Sequence, residues 1–182
     1  MVNFKAIESD RLTIRILDTH DKEVFFAYRS LPEVYLYQSW KPSIIDEVEE
    51  FINKNKAIQP NTKNTWMQLG ITLSDGALID DVGIHFMEDE AQVEIGYTLS
   101  PAHQGCGYAQ EAVKAVIDYL FLTLKKLRII ASVDPENAKS INLLKRLGFR
   151  QEAYFKKNQL IRGKWCDHVV YAVLEEEWKS QR

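Results

Sequence analysis

The chain has 182 residues, a hydrophobic content of 46% and a formal net charge of −3. This length and composition suit one soluble globular domain, residues 1–182, with a core of its own. The negative charge argues against a nucleic-acid partner, because proteins that bind the phosphate backbone normally present a basic face.

The first residues, the most apolar stretch and the cysteines indicate the cellular location. Residues 1–8 contain no apolar run that resembles a secretory signal. The most apolar stretch, 112–124, is too short and too polar to span a bilayer. Cys106 and Cys166 form neither a CxxC pair nor a metal-binding spacing. We therefore expect a cytoplasmic protein with free thiols, no metal and no membrane partner.

The first elements read as a strand followed by a helix. Alternating apolar and polar residues predict a strand at 12–17. A capping residue at position 18 or 19 predicts a helix that continues to about Arg29. Pro32 is expected to end this region.

A second helix and three strands are predicted next. Ser43-x-x-Asp46 resembles a capping box, in which the side chains at the two ends of the motif bond each other's backbone N–H groups. The strands form a meander, with turn residues between them, at 66–73, 77–87 and 92–99.

The second half alternates helix and strand. The predicted elements are a helix at 109–124, a strand at 127–133, a helix at 137–147 ended by Gly148, and strands at 151–156 and 167–174 joined by a basic turn at Gly163. This order predicts an α/β chain whose sheet is antiparallel at first and then contains a β-α-β crossover.

One glycine-rich segment, Gln104-Gly105-Cys106-Gly107-Tyr108-Ala109, lies between a strand and a helix. A helix N-terminus has unpaired N–H groups and a positive dipole end, and small residues let a phosphate approach that backbone. A tight turn without a ligand fits the same residues. The segment lacks the Gly-Lys-Ser/Thr of a Walker loop and the glycine spacing of a dinucleotide fingerprint.

Longer motifs around this segment resemble a known family. Gln104-x-x-Gly107-x-Ala109 after Leu99-x-Pro101 resembles the acetyl-CoA signature of the GNAT superfamily of N-acetyltransferases. Asn137-Ala138-Lys139-Ser140, followed by Leu147-Gly148-Phe149, is similar to the second CoA-contacting helix of that family. Motifs at 11–15 and 163–168 resemble the branch with RimJ and RimL, which acetylate the N-termini of ribosomal proteins.

The resemblance implies the GNAT fold, a mixed and mostly antiparallel central sheet flanked by helices, with splayed strands forming an acetyl-CoA cleft. It implies direct transfer of acetyl from acetyl-CoA to a primary amine. The acceptor is either a protein N-terminal α-amine, as in the RimJ/RimL branch, or a small-molecule amine. The resemblance also allows a homodimer.

The resemblance further implies roles for residues along the cleft. Backbone groups of Tyr97 and Leu99 would pair with the pantetheine arm, Asn137 would hydrogen-bond it, and Gly96 would lie near a bulge. The implied CoA-contacting residues are Tyr97, Thr98, Leu99, Gln104, Gly105, Cys106, Gly107, Tyr108, Ala109, Asn137 and Ser140.

Two acid–base residues common in the family are missing here. Leu144 stands where many members have a tyrosine acid, and Ser132 stands where others have a glutamate base. The RimJ/RimL branch suggests Ser140 as the donor to the leaving thiolate, although a serine there also fits simple backbone bonding. Glu94 is the candidate base, and a solvent-facing charge is the alternative. The missing residues leave open a CoA-binding regulatory module without turnover.

Several other residues are weaker candidates. Histidines often pack or face solvent, and aromatic residues more often belong to a core than to a binding wall. A covalent acetyl-cysteine at Cys106 is disfavoured, because the family transfers acetyl directly. Asp167 either orients the substrate or holds a hairpin. The histidines are His85, His103 and His168, and the aromatic candidates for an acceptor wall are Tyr35, Tyr37, Trp40 and Trp66.

Overall fold

An eight-stranded sheet is the centre of the computed structural model, which describes residues 4–180 except for the side chain of Leu99. The strands are β1 (Ile7–Glu8), β2 (Leu12–Ile16), β3 (Thr65–Leu73), β4 (Leu78–Phe86), β5 (Gln92–Leu99), β6 (Arg128–Val133), β7 (Arg150–Ile161) and β8 (Lys164–Leu174). Their order is β1-β2-β3-β4-β5-β6-β8-β7, and only the β5–β6 pair is parallel. The mixed, mostly antiparallel sheet is therefore confirmed.

Helices cover the sheet. They are α1 (Lys22–Arg29), α2 (Pro32–Tyr35), α3 (Ile45–Lys56), α4 (Tyr108–Asp118), α5 (Ala138–Arg146) and α6 (Glu175–Ser180). Helix α4 continues into a π-helical turn, Tyr119–Thr123, before β6. None of the helices within residues 4–180 is long and apolar enough to cross a bilayer.

Two groups of buried apolar side chains hold these layers together. The larger one joins the sheet to α4 and α5, and it includes Val113, Ile117 and Leu144, each fully buried. The smaller one joins α1 and α3 through Phe25 and Ile52. Burial of an aliphatic or Phe side chain stabilises the fold by roughly 1.5–3 kcal/mol, so these groups fix the strand ends that carry the site.

The start of α1 follows the sequence prediction, whereas the start of α3 does not. Asp18 caps the turn before α1, and its carboxylate accepts a hydrogen bond from the His20 backbone N–H. The predicted capping box at Ser43 and Asp46 is wrong. The N-cap of α3 is Ile44, and the Ser43 N–H donates to the carboxylate of Glu47 at 2.7 Å instead.

Pro32 begins a helix rather than only ending one. It occupies the first turn of α2, where its missing N–H would have had no intrahelical partner. The short elements β1 and α6 were also missed, because two and six residues carry too little periodicity to be recognised.

The β7–β8 hairpin is longer than predicted. Its strands have 12 and 11 residues, and the turn between them consists of Arg162 and Gly163, with φ of 46° and 78°. Two consecutive positive φ values suit a tight hairpin turn. Apolar side chains remain exposed along it, among them Leu160 and Trp165, so the alternation that marks a half-buried strand is lost in the sequence.

A buried ionic network lies beneath the site. Asp81 on β4 is fully buried and accepts hydrogen bonds from the Tyr28 hydroxyl, the Arg29 guanidinium and the Gln68 amide. Its neighbour Asp80 accepts the Ser100 N–H, and burial raises the pKa of Asp80 to about 7. Asp80 is therefore tied to the segment that follows β5, and Asp81 is tied to α1 and β3.

Candidate active site

The sheet opens between β5 and β6. The two strands pair only at Gln92–Glu94 with Arg128–Ile130, and β5 continues to Leu99 without β6 beside it. The backbone edge of β5 beyond Glu94 is therefore available to a ligand on that side. This splayed arrangement is the one predicted from the sequence.

The glycine-rich loop follows the end of β5. Gly105 and Gly107 have φ of 81° and 79°, a region that favours glycine. Helix α4 begins at Tyr108, and its first intrahelical bond runs from the Glu111 N–H to the Gly107 carbonyl. The N–H groups of residues 108–110 precede that bond, so they can bind an anion together with the helix dipole.

Arg11 holds this loop in place. Its backbone N–H and its side-chain Nε each donate to the Glu111 carboxylate at 2.7 Å, and its Nη1 donates to the Cys106 carbonyl at 3.1 Å. Its guanidinium also lies 4.6 Å from the ring centre of Tyr108. The motif that begins at Arg11 therefore has a structural role: Arg11 anchors the loop to the N-terminal strands.

The start of α5 faces the loop. The side-chain oxygen of Asn137 caps this helix by accepting the Ser140 N–H at 3.2 Å. Lys139 donates to the side-chain oxygen of Gln104 at 2.6 Å, which links the helix to the loop. Two segments far apart in the sequence therefore form one wall of the cleft.

Two adjacent cavities occupy the cleft. The loop cavity, about 440 Å³, is bordered by Thr98, Pro101 and Gln104, and the hairpin cavity, about 530 Å³, by Trp66, Glu94 and the tip of β7. The residues that line both cavities are Tyr37, Gln38, Tyr97, Asn137 and Ser140. A group that extends from one cavity to the other therefore lies among these five residues, of which Ser140 is one.

A hydroxyl pair lies at this junction. Tyr97 Oη is 2.8 Å from Ser140 Oγ and 3.2 Å from the Ser140 carbonyl oxygen, so its single proton has two acceptors within reach. Burial raises the pKa of Tyr97 to about 12, so the phenol stays protonated. Leu144 is fully buried in the core, away from this junction. The contact of the Tyr97 side chain with Ser140 was not predicted from the sequence.

Glu94 lines the hairpin cavity beside two rings. The carboxylate oxygen of Glu94 is 3.8 Å from His85 Nδ1, and the Glu94 side chain is 21% exposed. The His85 ring stacks on Trp66, with ring centres 4.9 Å apart and planes within 9°. Because Trp66, His85 and Glu94 lie opposite one another on β3, β4 and β5, the sheet register forms this row.

The expected bulge at Gly96 is wrong. The β4–β5 register runs without a shift through the Gly83–Gly96 pair. The indole ring of Trp66 lies beside both glycines instead, and a Cβ atom on Gly83 would be 3.1 Å from it. A register shift occurs in β3 between Ile71 and Thr72. The glycines therefore make room for Trp66 on the floor of the hairpin cavity.

Most of the weaker candidates lie away from the junction. Asp167 accepts hydrogen bonds from the Tyr154 hydroxyl and the Lys157 N–H, so it holds the hairpin. His168 stacks on Phe155 in the same hairpin. Trp40 packs with the aromatic rings of the smaller core.

Arg162 connects the hairpin to α2. From the hairpin turn, its guanidinium donates to the backbone carbonyls of Tyr35, Leu36 and Gln38, and it lies 5.3 Å from the Tyr35 ring centre. The segment after α2 supplies Tyr37 and Gln38 to both cavities. Arg162, in the basic turn predicted from the sequence, therefore closes one side of the site. Its position in a turn did not indicate this contact.

The arrangement matches a known family. Residues 11–150 match the model of the acetyltransferase (GNAT) domain. The chain is 33% identical to the uncharacterised N-acetyltransferase YnaD of Bacillus subtilis over 172 residues, which are 94% of this chain and 98% of that protein. A crystal structure of a GNAT-family acetyltransferase from Bacillus anthracis superposes with a TM-score of 0.84 and 31% identity, covering 94% of this chain and 99% of that one.

Two other relatives act on different amines. The Escherichia coli alanine N-acetyltransferase of ribosomal protein uS5 is 41% identical over 88 residues, which are 48% of this chain and 45% of that protein. The spermidine N(1)-acetyltransferase of Vibrio cholerae is 25% identical over 174 residues, which are 95% of this chain and 98% of that protein. Similarity alone therefore does not select an acceptor.

Proposed function

The chain belongs to the GNAT family of acetyltransferases, and from this premise we propose that it moves the acetyl group of acetyl-CoA onto a small primary amine with a second positive charge. The observation that carries this proposal is the hairpin cavity. It contains two carboxylates, Glu94 and Asp134, and the exposed ring of Trp66. Among its described lining residues there is no lysine, arginine or histidine.

The loop cavity fits the donor substrate. The N–H groups at the start of α4 would bind the diphosphate, and Asn137 would bond the pantetheine arm along the free edge of β5. Thr98 lines this cavity, and its buried hydroxyl has no hydrogen-bond partner among the described residues. An unpaired buried hydroxyl costs free energy, which a polar group of the substrate would offset.

The acceptor needs a charge that survives the reaction. An alkyl ammonium has a pKa of about 10.4 and must lose its proton before it attacks the thioester. Carboxylates and an aromatic face bind an ammonium group more tightly than a neutral amine. The affinity from Asp134 and Trp66 is therefore retained only if the acceptor has a second ammonium group. In this proposal Glu94 is the residue that accepts the proton from the attacking amine, directly or through water.

Matched amines test the acceptor class. Release of the CoA thiol is measured with 1,4-diaminobutane, 1-aminobutane and 4-amino-1-butanol, and the product is identified by mass spectrometry. We expect kcat/KM to be about 10-fold higher for the diamine, which corresponds to one retained charge contact. The preference should shrink in Asp134→Asn, because that variant removes one carboxylate. Equal rates for all three amines would contradict the proposal.

A peptide N-terminus is the second candidate. It is favoured by the 41% identity with the uS5-alanine N-acetyltransferase, which includes only about half of either chain. An α-amino group has a pKa of about 8 and loses its proton more readily than an alkyl ammonium. Peptides that begin with alanine or serine belong in the same panel, and faster acetylation of these than of the diamine would select this candidate.

A further inference from the structure

We propose that Tyr97 is a positioning residue for the acetyl transfer: its hydroxyl donates to Ser140 Oγ and directs the Ser140 hydroxyl proton at the departing CoA thiolate. This inference rests on the proposed function, in which the thioester lies at the junction of the loop and hairpin cavities. It assigns the Tyr97 side chain a role beyond the backbone contact expected from the sequence.

The geometry fixes Ser140 from two sides. Its backbone N–H donates to the Asn137 side chain at 3.2 Å, and its Oγ lies 2.8 Å from Tyr97 Oη. A serine hydroxyl has one proton to donate and two lone pairs to accept with. The Tyr97 phenol has one proton, which goes either to the Ser140 carbonyl at 3.2 Å or to the closer Ser140 Oγ. When Tyr97 donates to Oγ, the serine proton is left to point elsewhere. Since a thiolate only accepts hydrogen bonds, its presence in the junction favours this arrangement.

Helix α5 offers no other hydroxyl to the cleft. Ser140 is the only hydroxyl-bearing residue between Ala138 and Arg146, and Leu144 is buried in the core. The second hydroxyl comes from the opposite wall, on β5. Hydrogen bonds in a chain polarise one another, so a donor behind Ser140 makes its own hydroxyl a stronger donor.

The proton balance decides between donation and transfer. Burial raises the pKa of Tyr97 to about 12, whereas a thiol in water has a pKa of about 8.5. Moving the phenol proton to the thiolate would therefore be unfavourable by roughly 10³-fold. The amine nitrogen forms a bond to the acetyl carbon, and the amine proton goes to Glu94 directly or through water. The C–S bond breaks with its electron pair on sulfur, the thiolate accepts the Ser140 hydrogen bond, and Tyr97 and Ser140 both keep their protons. Water protonates the thiolate after release.

Kinetics of Tyr97→Phe, Ser140→Ala and the double variant test the proposal. The phenylalanine keeps the ring, so we expect kcat to fall about 10-fold while the Kd for acetyl-CoA stays within about twofold. The double variant should be no slower than Ser140→Ala, because Tyr97 acts through Ser140. Tyr119→Phe is the matched control: it removes a hydroxyl with no partner among the described residues, outside both cavities, and should leave kcat unchanged.

A purely structural role predicts a different pattern. If Tyr97 only tethers α5 through the Ser140 carbonyl, Tyr97→Phe raises the Kd for acetyl-CoA and leaves kcat unchanged. That result, or independent losses that multiply in the double variant, would overturn the proposal.

A measurement without an acceptor separates this proposal from the proposed function. The thiol of bound CoA is titrated by its thiolate ultraviolet absorbance in the wild type and the three variants. We expect the wild type to lower the pKa of the CoA thiol, and both Tyr97→Phe and Ser140→Ala to raise it toward the free value. Equal titrations in all proteins contradict the role of Tyr97, whereas failure of every amine in the turnover assay contradicts only the proposed acceptor reaction.

Discussion

The guanidinium of Arg162 donates a hydrogen bond to the backbone carbonyl of Gln38 across 2.7 Å, and it also bonds the carbonyls of Tyr35 and Leu36. These contacts join the tip of the β7–β8 hairpin to the segment after α2. Gln38 and Tyr37 border both cavities, whereas the tip of β7 next to Arg162 borders only the hairpin cavity.

Replacing Arg162 should therefore weaken acceptor binding more than donor binding. Arg162→Gln removes the positive charge and most of the guanidinium N–H donors. Hydrogen bonds made by an exposed charged group contribute about 1 kcal/mol in total after screening. We expect the KM for the amine to rise about fivefold to 10-fold, with a smaller change for acetyl-CoA. Lys164→Gln is the control, because it removes a charge beside the same turn, and the Lys164 side chain makes no hydrogen bond or ion pair with the described residues. Equal effects of the two variants would show that hairpin charge alone matters.

The buried pair Arg29–Asp81 should dominate local stability. Arg29→Met leaves the Asp81 carboxylate buried with the Tyr28 hydroxyl and the Gln68 amide as its remaining partners among the described residues. Breaking a buried ion pair in this way costs about 3–5 kcal/mol. Urea unfolding should show this loss for Arg29→Met, and a partial recovery in Arg29→Met/Asp81→Asn, which removes the unpaired charge. A loss below about 1 kcal/mol for Arg29→Met would contradict the buried charge pair.

The raised pKa of Asp80 should make stability depend on pH. Its pKa is about 7 in the fold, against 3.8 in an unfolded chain, so the folded state binds the extra proton. The stabilisation is complete below pH 3.8 and is lost as the pH rises through 7. The slope of about 1.36 kcal/mol per pH unit ends near pH 7, so the loss between pH 5 and 8 is about 2.7 kcal/mol.

Asp80→Asn tests this dependence. Its amide oxygen can still accept the Ser100 N–H, and it has no charge to desolvate. Relative to the wild type, its free energy of unfolding should increase by up to about 3 kcal/mol from pH 5 to pH 8. Parallel stability curves for the two proteins over this range would exclude a neutral, buried Asp80.

The facing glycines should respond differently to a methyl group. A Cβ on Gly83 would lie 2.8 Å from the Gln68 side-chain oxygen and 3.1 Å from the Trp66 ring, whereas a Cβ on Gly96 meets the same ring at 3.7 Å. We expect Gly83→Ala to cost about 1–3 kcal/mol through displaced side chains, and Gly96→Ala to cost less than about 0.5 kcal/mol. Chemical denaturation of both variants measures the difference. A bulge at Gly96 would reverse this order.

The features that were predictable from the sequence are local in the chain. The glycine positions of the loop, the start of α5 near Asn137 and the strand that ends in Leu99 each depend on residues within a few positions of one another. Hydrophobic periodicity likewise identified β2 to β6 and most of α4 and α5. The parallel pairing of β5 with β6 followed from the helix between them.

The features that were missed depend on distant residues. Tyr97 and Ser140 are 43 positions apart, and only the opening of the sheet brings them together. Arg162 reaches carbonyls more than 120 positions earlier in the chain. The capping box at Ser43 failed for a local reason, since Glu47 one turn later competes for the same N–H. Sequence periodicity does not predict the contacts of Tyr97 and Arg162, because those contacts depend on tertiary packing.

Thr98 and Thr72 form a matched pair that tests whether acetyl-CoA binds in the loop cavity. Both are buried on neighbouring parts of the sheet, at 3% and 2% exposure. The Thr72 hydroxyl donates to the Thr13 carbonyl at 3.0 Å, whereas the Thr98 hydroxyl has no partner among the described residues and borders the loop cavity. Valine has the shape of threonine without the hydroxyl, so each substitution isolates one hydroxyl group.

The two valine variants should change the stability of the ligand-free protein in opposite directions. Thr72→Val loses a hydrogen bond and should cost about 1 kcal/mol, while Thr98→Val removes an unpaired buried hydroxyl and should stabilise by a similar amount. Calorimetric titration should show the opposite order for acetyl-CoA affinity: the variant that gains stability should lose affinity. Thr98→Val should bind about fivefold more weakly, because the substrate loses its partner, and Thr72→Val should bind normally. If Thr98→Val binds acetyl-CoA as tightly as the wild type, its hydroxyl does not contact the donor substrate, and the orphaned oxygen needs another explanation.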